Sequence, residues 1–222
     1  VKDLPLERRS ALGKAALELF FRELFVWGEI QTDPNFGNYR IRIAGEEGDD
    51  PGYDRIVLLD FGAVQSYSDD FLKPVIQMIR ASYENDLQAV IDGGVKLRFM
   101  STEWPDEVLE KFGQVCMSVL EPLSSDKDAW PDYAVNSHGE YRWKQSELPS
   151  RVARQAARSA ISRYFRVPPK EFVFLNRKLI GVYTFVAVLN SEFNGEPLLR
   201  KYLYGEGDDA PDASATSQST KA

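Results

Sequence analysis

Asp33, Asn38 and Asp60 stand at spacings that could hold and transfer a phosphoryl group. Such transfer asks a protein for a group that orients or deprotonates the nucleophile, and for hard oxygen ligands that hold Mg2+ against phosphates. Asp33 and Asn38 are five residues apart in Gln31-Thr32-Asp33-Pro34-Asn35-Phe36-Gly37-Asn38, the separation a catalytic aspartate and a metal-binding asparagine need on one loop. Asp60-Phe61-Gly62 supplies a second carboxylate directly after the apolar run 55–59. Either motif alone arises often by chance. Together, in this order and each in its required context, they are specific. The cofactors they call for are Mg2+ and ATP.

Positioning these residues takes a loop, a hairpin and a helical scaffold. Residues 5–25 predict a helix, with Leu12, Ala16, Leu19, Phe20 and Leu24 at helical spacing. Phe20, Phe21, Phe25 and Trp27 read as core packing. Pro34 and Gly37 forbid regular structure in the loop that follows. Residues 39–43 and 55–59 predict two strands joined by the acidic stretch 45–54, whose Glu46, Glu47, Asp49 and Asp50 lack calcium-loop spacing and read as solvated. Asp33 and Asp60 are 27 positions apart, a long insertion that costs little because loop entropy grows only logarithmically. Helices are expected over 71–83, 87–93, 106–120, 150–165 and 171–190, with a short one near 198–203. Residues 124–147, rich in Trp and Tyr, read as irregular but packed. Phe71 follows Asp69 and Asp70 so closely that the segment after Asp-Phe-Gly must be short, with no room for a phosphorylation-controlled loop.

At 222 residues, 43% of them hydrophobic, the chain can bury a real core. A net charge of −7 argues against nucleic-acid binding, which favours a basic balance. One cysteine, Cys116, excludes an internal disulfide and reads as a packing residue; the lone His138, in a turn, excludes a histidine-built metal site. The apolar run 172–189 holds Asn176, Arg177 and Lys178 near its start, which fits a buried helix better than a membrane span. Arg151, Arg154, Arg158, Arg163 and Arg166 read as a solvated basic face, with an acidic partner or membrane surface as the sharper alternative.

The segments Arg22-Glu23-Leu24-Phe25, Gln31-Thr32-Asp33-Pro34-Asn35, Asn38 and Leu58-Leu59-Asp60-Phe61-Gly62-Ala63 resemble the catalytic region of the UbiB/ADCK family of atypical kinases, in particular its coenzyme Q-supporting branch. Pro168-Pro169-Lys170-Glu171 and Asn176-Arg177-Lys178-Leu179-Ile180-Gly181 resemble its closing helices. The resemblance implies a protein-kinase-like fold, here a C-lobe that is mainly α with a small β-hairpin (α+β), over residues 1–204, with a disordered tail over 205–222. It assigns the catalytic-loop role to Asp33, metal ligation to Asn38 and Asp60, nucleotide contact to Asn38, Asp60, Phe61 and Gly62, and a supporting role to Gln31, Thr32 and Asn35. Gln31 stands where protein kinases place a histidine that packs against Asp-Phe-Gly, so phosphorylation of protein hydroxyls becomes doubtful.

The implied activity is Mg2+-dependent ATP hydrolysis or phosphoryl transfer supporting ubiquinone or other isoprenoid lipid metabolism. It implies a membrane-associated place, on the matrix face of the mitochondrion in a eukaryote or the cytoplasmic face in a bacterium. Implied partners are the protein's own N-terminal lobe, membrane lipid and quinone-pathway proteins. The sequence holds no glycine-rich nucleotide loop, strand lysine or Lys-x-Gly-Gln segment. The expectation is an N-lobe absent from this chain, an apolar patch where it would pack, and a fragment that folds but is inactive alone. Two other readings stay open: a pseudokinase-like binding or scaffold protein, and a small-molecule phosphotransferase, against which Gly62 speaks.

Overall fold

Helix α1 (Leu6–Phe21) forms where the apolar spacing demands it, burying Leu12, Leu17, Phe20 and Phe21. It does not run on to residue 25 as an α-helix. Over Arg22–Trp27 the chain widens into a π-helix, ended by Gly28 at φ +63°, where a Cβ would also meet Leu72 Cδ1 at 3.2 Å. The wider turn rotates the last residues of the aromatic stripe off the core. Phe25 is half-buried and Trp27 is exposed, correcting the expectation that all four aromatics pack inside. The computed structural model describes residues 1, 3–33, 35–45, 52–160, 164 and 166–205. The acidic residues Glu46, Glu47, Asp49 and Asp50, together with Pro34, Arg163, the Arg158 side chain and the tail after 205, lie outside the described residues.

Four short strands follow in a nested arrangement. β2 (Tyr39–Arg42) pairs antiparallel with β3 (Arg55–Leu58), the expected hairpin. Outside it, β1 (Glu29–Gln31) pairs antiparallel with β4 (Val64–Ser66), an unexpected pair. Three-residue strands carry too little alternation to be seen in sequence.

The helices α2 (Asp69–Tyr83), α3 (Leu87–Lys96) and α4 (Asp106–Ser118) come next, α2 packing on α3 and α3 on α4. The irregular stretch after them is packed as expected. Trp130, Tyr141 and Trp143 are buried, Trp130 and Tyr141 meeting edge-on with ring centres 5.2 Å apart, while Tyr133 stays exposed. His138 lies in an exposed turn, its N–H donating to Asn136 Oδ1.

Helix α5 (Leu148–Ala160) carries Arg151, Arg154 and Arg158, with Arg166 beyond its end, and Arg151 is no part of a solvated face. Its guanidinium donates to both carboxylate oxygens of Glu121, at 2.9 and 2.6 Å, and to the Ser146 carbonyl. Helices α6 (Lys170–Val188) and α7 (Glu196–Tyr204) complete the fold, and α6 packs along α1. One side of the apolar run 172–189, through Leu175, Leu179, Val182, Tyr183 and Val186, is therefore core, while Val173 and Val188 stay exposed. Among the described residues no helix is long and apolar enough to cross a membrane.

Candidate active site

The nested ladders force the two motifs together. The chain between β1 and β2 carries Thr32 to Asn38, and the chain between β3 and β4 carries Leu59 to Ala63. Because Gln31 pairs with Val64 on one side and Tyr39 with Leu58 on the other, these loops must lie side by side. The length of the 43–54 connection is irrelevant to that juxtaposition.

Hydrogen bonds stitch the loops across their whole length. Thr32 donates to the Ala63 carbonyl through both its N–H (3.0 Å) and its hydroxyl (2.8 Å). The Leu59 N–H donates to the Asn38 carbonyl at 2.9 Å. Between them sits buried Gln31, whose amide nitrogen donates to the Asp60 carbonyl at 2.8 Å and whose amide oxygen accepts from the Asp33 N–H at 3.0 Å. Gln31, at the position of the expected histidine, therefore still ties the loop that carries Asp33 to Asp60-Phe61-Gly62. One flat amide has a donor and an acceptor at opposite corners and ties both segments.

Asn35 shapes the loop, its side-chain oxygen accepting from the Gly37 N–H at 3.0 Å ahead of the short 3-10 turn Phe36–Asn38. Asn38 Nδ2 donates to Asp33 Oδ2 at 3.0 Å, and Arg177 from α6 sits 3.6 Å from Asp33 Oδ1. Asp60 is exposed, and its Oδ1 accepts from the Gly62 N–H at 2.7 Å. A Cβ on Gly62 would lie 3.1 Å from that oxygen, a tight approach to which the Asp60 side chain would have to yield by a few tenths of an ångström. Phe61, Leu59, Phe36 and Val64 leave apolar side chains open on and beside the two loops.

The donor set fits Mg2+. With Nδ2 of Asn38 given to Asp33, the amide turns its oxygen away as a metal donor. Asp60 would add a carboxylate, and a bound Mg2+ would be held by these two residues together with water and phosphate oxygens rather than by an all-protein cage. Asp33, hydrogen-bonded by the Asn38 amide and facing the Arg177 charge, is a carboxylate placed to orient a hydroxyl or accept its proton.

Beneath the loops lies a buried ion pair not anticipated from sequence. Lys178 Nζ sits 3.0 Å from Glu23 Oε1, a hydrogen bond, and 2.8 Å from Oε2, a contact of charge rather than a directed bond. It also reaches the Tyr39 hydroxyl at 3.4 Å, while the backbone N–H of Gln31 donates to Glu23. The pair thus joins the π-helix and α6 to β1 and β2. Burial pushes the Glu23 carboxyl above its usual range, outweighing the opposing pull of Lys178. The available signal was a single charge set into an apolar stripe on each of two helices. Arg177 gave no such signal, because only the crossing of α6 over the loop brings it to Asp33.

Residues 5–93, which include both loops, match the ABC1 atypical kinase-like domain. The chain is 26% identical over 188 residues to a probable serine/threonine-protein kinase, abkA, of Dictyostelium discoideum, covering 85% of this chain and 31% of the relative. It is 26% identical over 203 residues to the mitochondrial atypical kinase coq-8 of Caenorhabditis elegans, covering 89% and 24%. It is likewise 26% identical over 176 residues to the mitochondrial atypical kinase COQ8B of Rattus norvegicus, covering 79% and 29%. The chain spans about a quarter to a third of the length of these curated relatives.

Proposed function

We propose, from the match of residues 5–93 to the ABC1 atypical kinase-like domain, that the protein is an atypical kinase of the UbiB/ADCK type that uses ATP and Mg2+ for hydrolysis or phosphoryl transfer to a small molecule. The observation that carries this is the clamped pair of loops, with Asn38, Asp33 and Asp60 on adjoining strand ends. Asn38 and Asp60 are assigned to the metal, which when bound supplies positive charge to the phosphate oxygens. Asp33 is assigned to the nucleophile, a water or substrate hydroxyl, with Arg177 and Asn38 fixing its carboxylate. Phe61 and Gly62 are assigned to the nucleotide's surroundings. The glycine-rich loop and phosphate-binding lysine that this chemistry also needs are assigned to parts of the protein outside this chain.

Two of the relatives are named mitochondrial atypical kinases of the COQ8 type. We assign this protein to the same setting, in support of coenzyme Q or related isoprenoid metabolism, bound at a membrane surface. Its assigned partners are its own N-lobe, which covers the open side chains of Phe36, Leu59 and Phe61, and proteins of that pathway.

The test is Asp60→Asn in the complete protein. Loss of one carboxylate from a hard-cation site lowers Mg2+-dependent ATP turnover at least a hundredfold while the far-UV circular dichroism is unchanged. Wild-type turnover in the purified variant would overturn the proposal. Mg-ATP binding without turnover in the wild type would favour the scaffold reading instead.

A further inference from the structure

The helical part of the fold holds an apolar cavity of about 240 Å³, open to solvent along one side and lined by none of the residues of the two loops. Its wall includes Phe21 of α1, Met78 of α2, Phe112 and Cys116 of α4, Leu175 of α6 and Leu199 of α7. Among the described lining residues only Ser82, Asn176 and Arg166 carry other polar side chains. At about 30 Å³ per water the space has room for roughly eight waters, yet so few polar groups leave them poorly bonded and readily displaced by an apolar guest. An apolar cavity of about 150 Å³ already stays dry and takes up an aromatic guest.

Two further observations point to what belongs there. The inner face of α4 is incompletely packed: Phe112, Val115, Cys116 and Val119 are half-buried although they point into the interior. Cys116, expected to be a plain packing residue, is one of them. At the cavity's margin stands Arg166, an exposed guanidinium lying 5.6 Å over the ring centre of Trp104. Stacking on an indole uses the guanidinium face and leaves its in-plane N–H groups for an anion.

We propose that this cavity is a binding site for an apolar chain of roughly eight to ten carbons carrying an anionic head, the chain lying between α2, α4 and α6 and the head on Arg166. The site does not depend on the nucleotide reading given above. It does share α6 with the catalytic loop, since Asn176 and Leu179 line the cavity while Arg177 and Lys178 contact Asp33 and Glu23.

Calorimetric titration with decanoate, decyl phosphate and decanol, each below its aggregation threshold, tests the assignment. The expected result is saturable one-to-one binding with a micromolar Kd for the two anions. Arg166→Gln weakens the anions about tenfold and leaves decanol unchanged, and Cys116→Trp, which fills the space, abolishes all three. Burial pushes the Cys116 thiol up to about 12, so alkylation by iodoacetamide is followed at pH 9, and decanoate slows it at least fivefold. That protection decides the matter should the tryptophan variant fail to fold. Absence of saturable binding by all three ligands, unchanged affinity in folded Cys116→Trp, or unchanged alkylation under saturating decanoate would overturn the proposal. Equal loss of decanol and decanoate binding in Arg166→Gln would overturn the role of the head group.

Discussion

Gln31 holds two backbone groups that no other side chain reaches in the same way, the Asp60 carbonyl and the Asp33 N–H. Gln31→Ala leaves both without that partner in a buried setting and is expected to cost about 1–3 kcal/mol in urea unfolding. Gln31→Glu keeps the acceptor but sets a carboxylate against a carbonyl, so its loss is at least as large at pH 7. It is expected to shrink as pH falls, because a protonated carboxyl can donate again. A neutral Gln31→Ala would show that the clamp does not matter. Lys178 is the second such residue. Lys178→Met leaves Glu23 buried without its counter-charge and is expected to cost about 3–5 kcal/mol, most of it recovered in the Glu23→Met/Lys178→Met double variant. Because the Glu23 carboxyl is held above its usual range, its contribution to stability is full at acid pH and is lost as pH rises through that raised value. Lys178→Met should sharpen that loss, read as a steeper fall in melting temperature from pH 4 to 7. The juxtaposition of the Asp33–Asn38 loop with Asp60 was legible from residue spacing, since these residues sit in motifs with fixed separations. Gln31's bridging and the Glu23–Lys178 pair were not, because each depends on a partner 29 or 155 positions away.

Among the elements, the amphipathic helices were readable to within a few residues, as α2, α4 and α6 show, because their cores are one-sided and their spacing repeats. The inner hairpin was readable from its β-branched run. What escaped was the outer β1–β4 pair and the π-helix, both too short to print a period. Yet these two set the site, one by closing the loops from outside and the other by turning Glu23 toward Lys178. The hairpin has its own anchor on α1: Arg8 donates to both carboxylate oxygens of Asp54, which also accepts the Ala44 N–H. The Arg8 hydrogen bonds hold the Asp54 carboxyl below its usual range. That stabilisation is present above the ordinary aspartate value and is lost as pH falls through the lowered one. Asp54→Asn is expected to remove about 0.5 kcal/mol at pH 7, a small figure because Arg8 is open to solvent, and to flatten the decline in stability between pH 4 and 2. An unchanged acid profile would show that the clamp is idle.

At the scale of the whole molecule, the first helix is sewn to the last third of the chain. Arg9 donates to the carbonyls of Leu189 and Asn190 at 2.8 and 3.0 Å, and Ser191 donates back to the Arg9 carbonyl. The Ser10 hydroxyl accepts from the Glu192 N–H, and Glu18 receives Lys201 and Tyr202. No local pattern announces such a pairing, because an apolar stripe states that it must be covered but not by what. Its consequence falls on the ribosome. With synthesis at about 5–20 residues per second, the 155 residues between Glu23 and Lys178 take roughly 8–30 s to emerge. During that interval α1 and the π-helix have left the exit tunnel with Phe20, Phe21 and Leu24 not yet covered by α6 and α7, and with Glu23 lacking its lysine. The nascent chain is thus a natural client for a holdase, and truncation before α6 should yield a product that aggregates rather than a smaller folded domain.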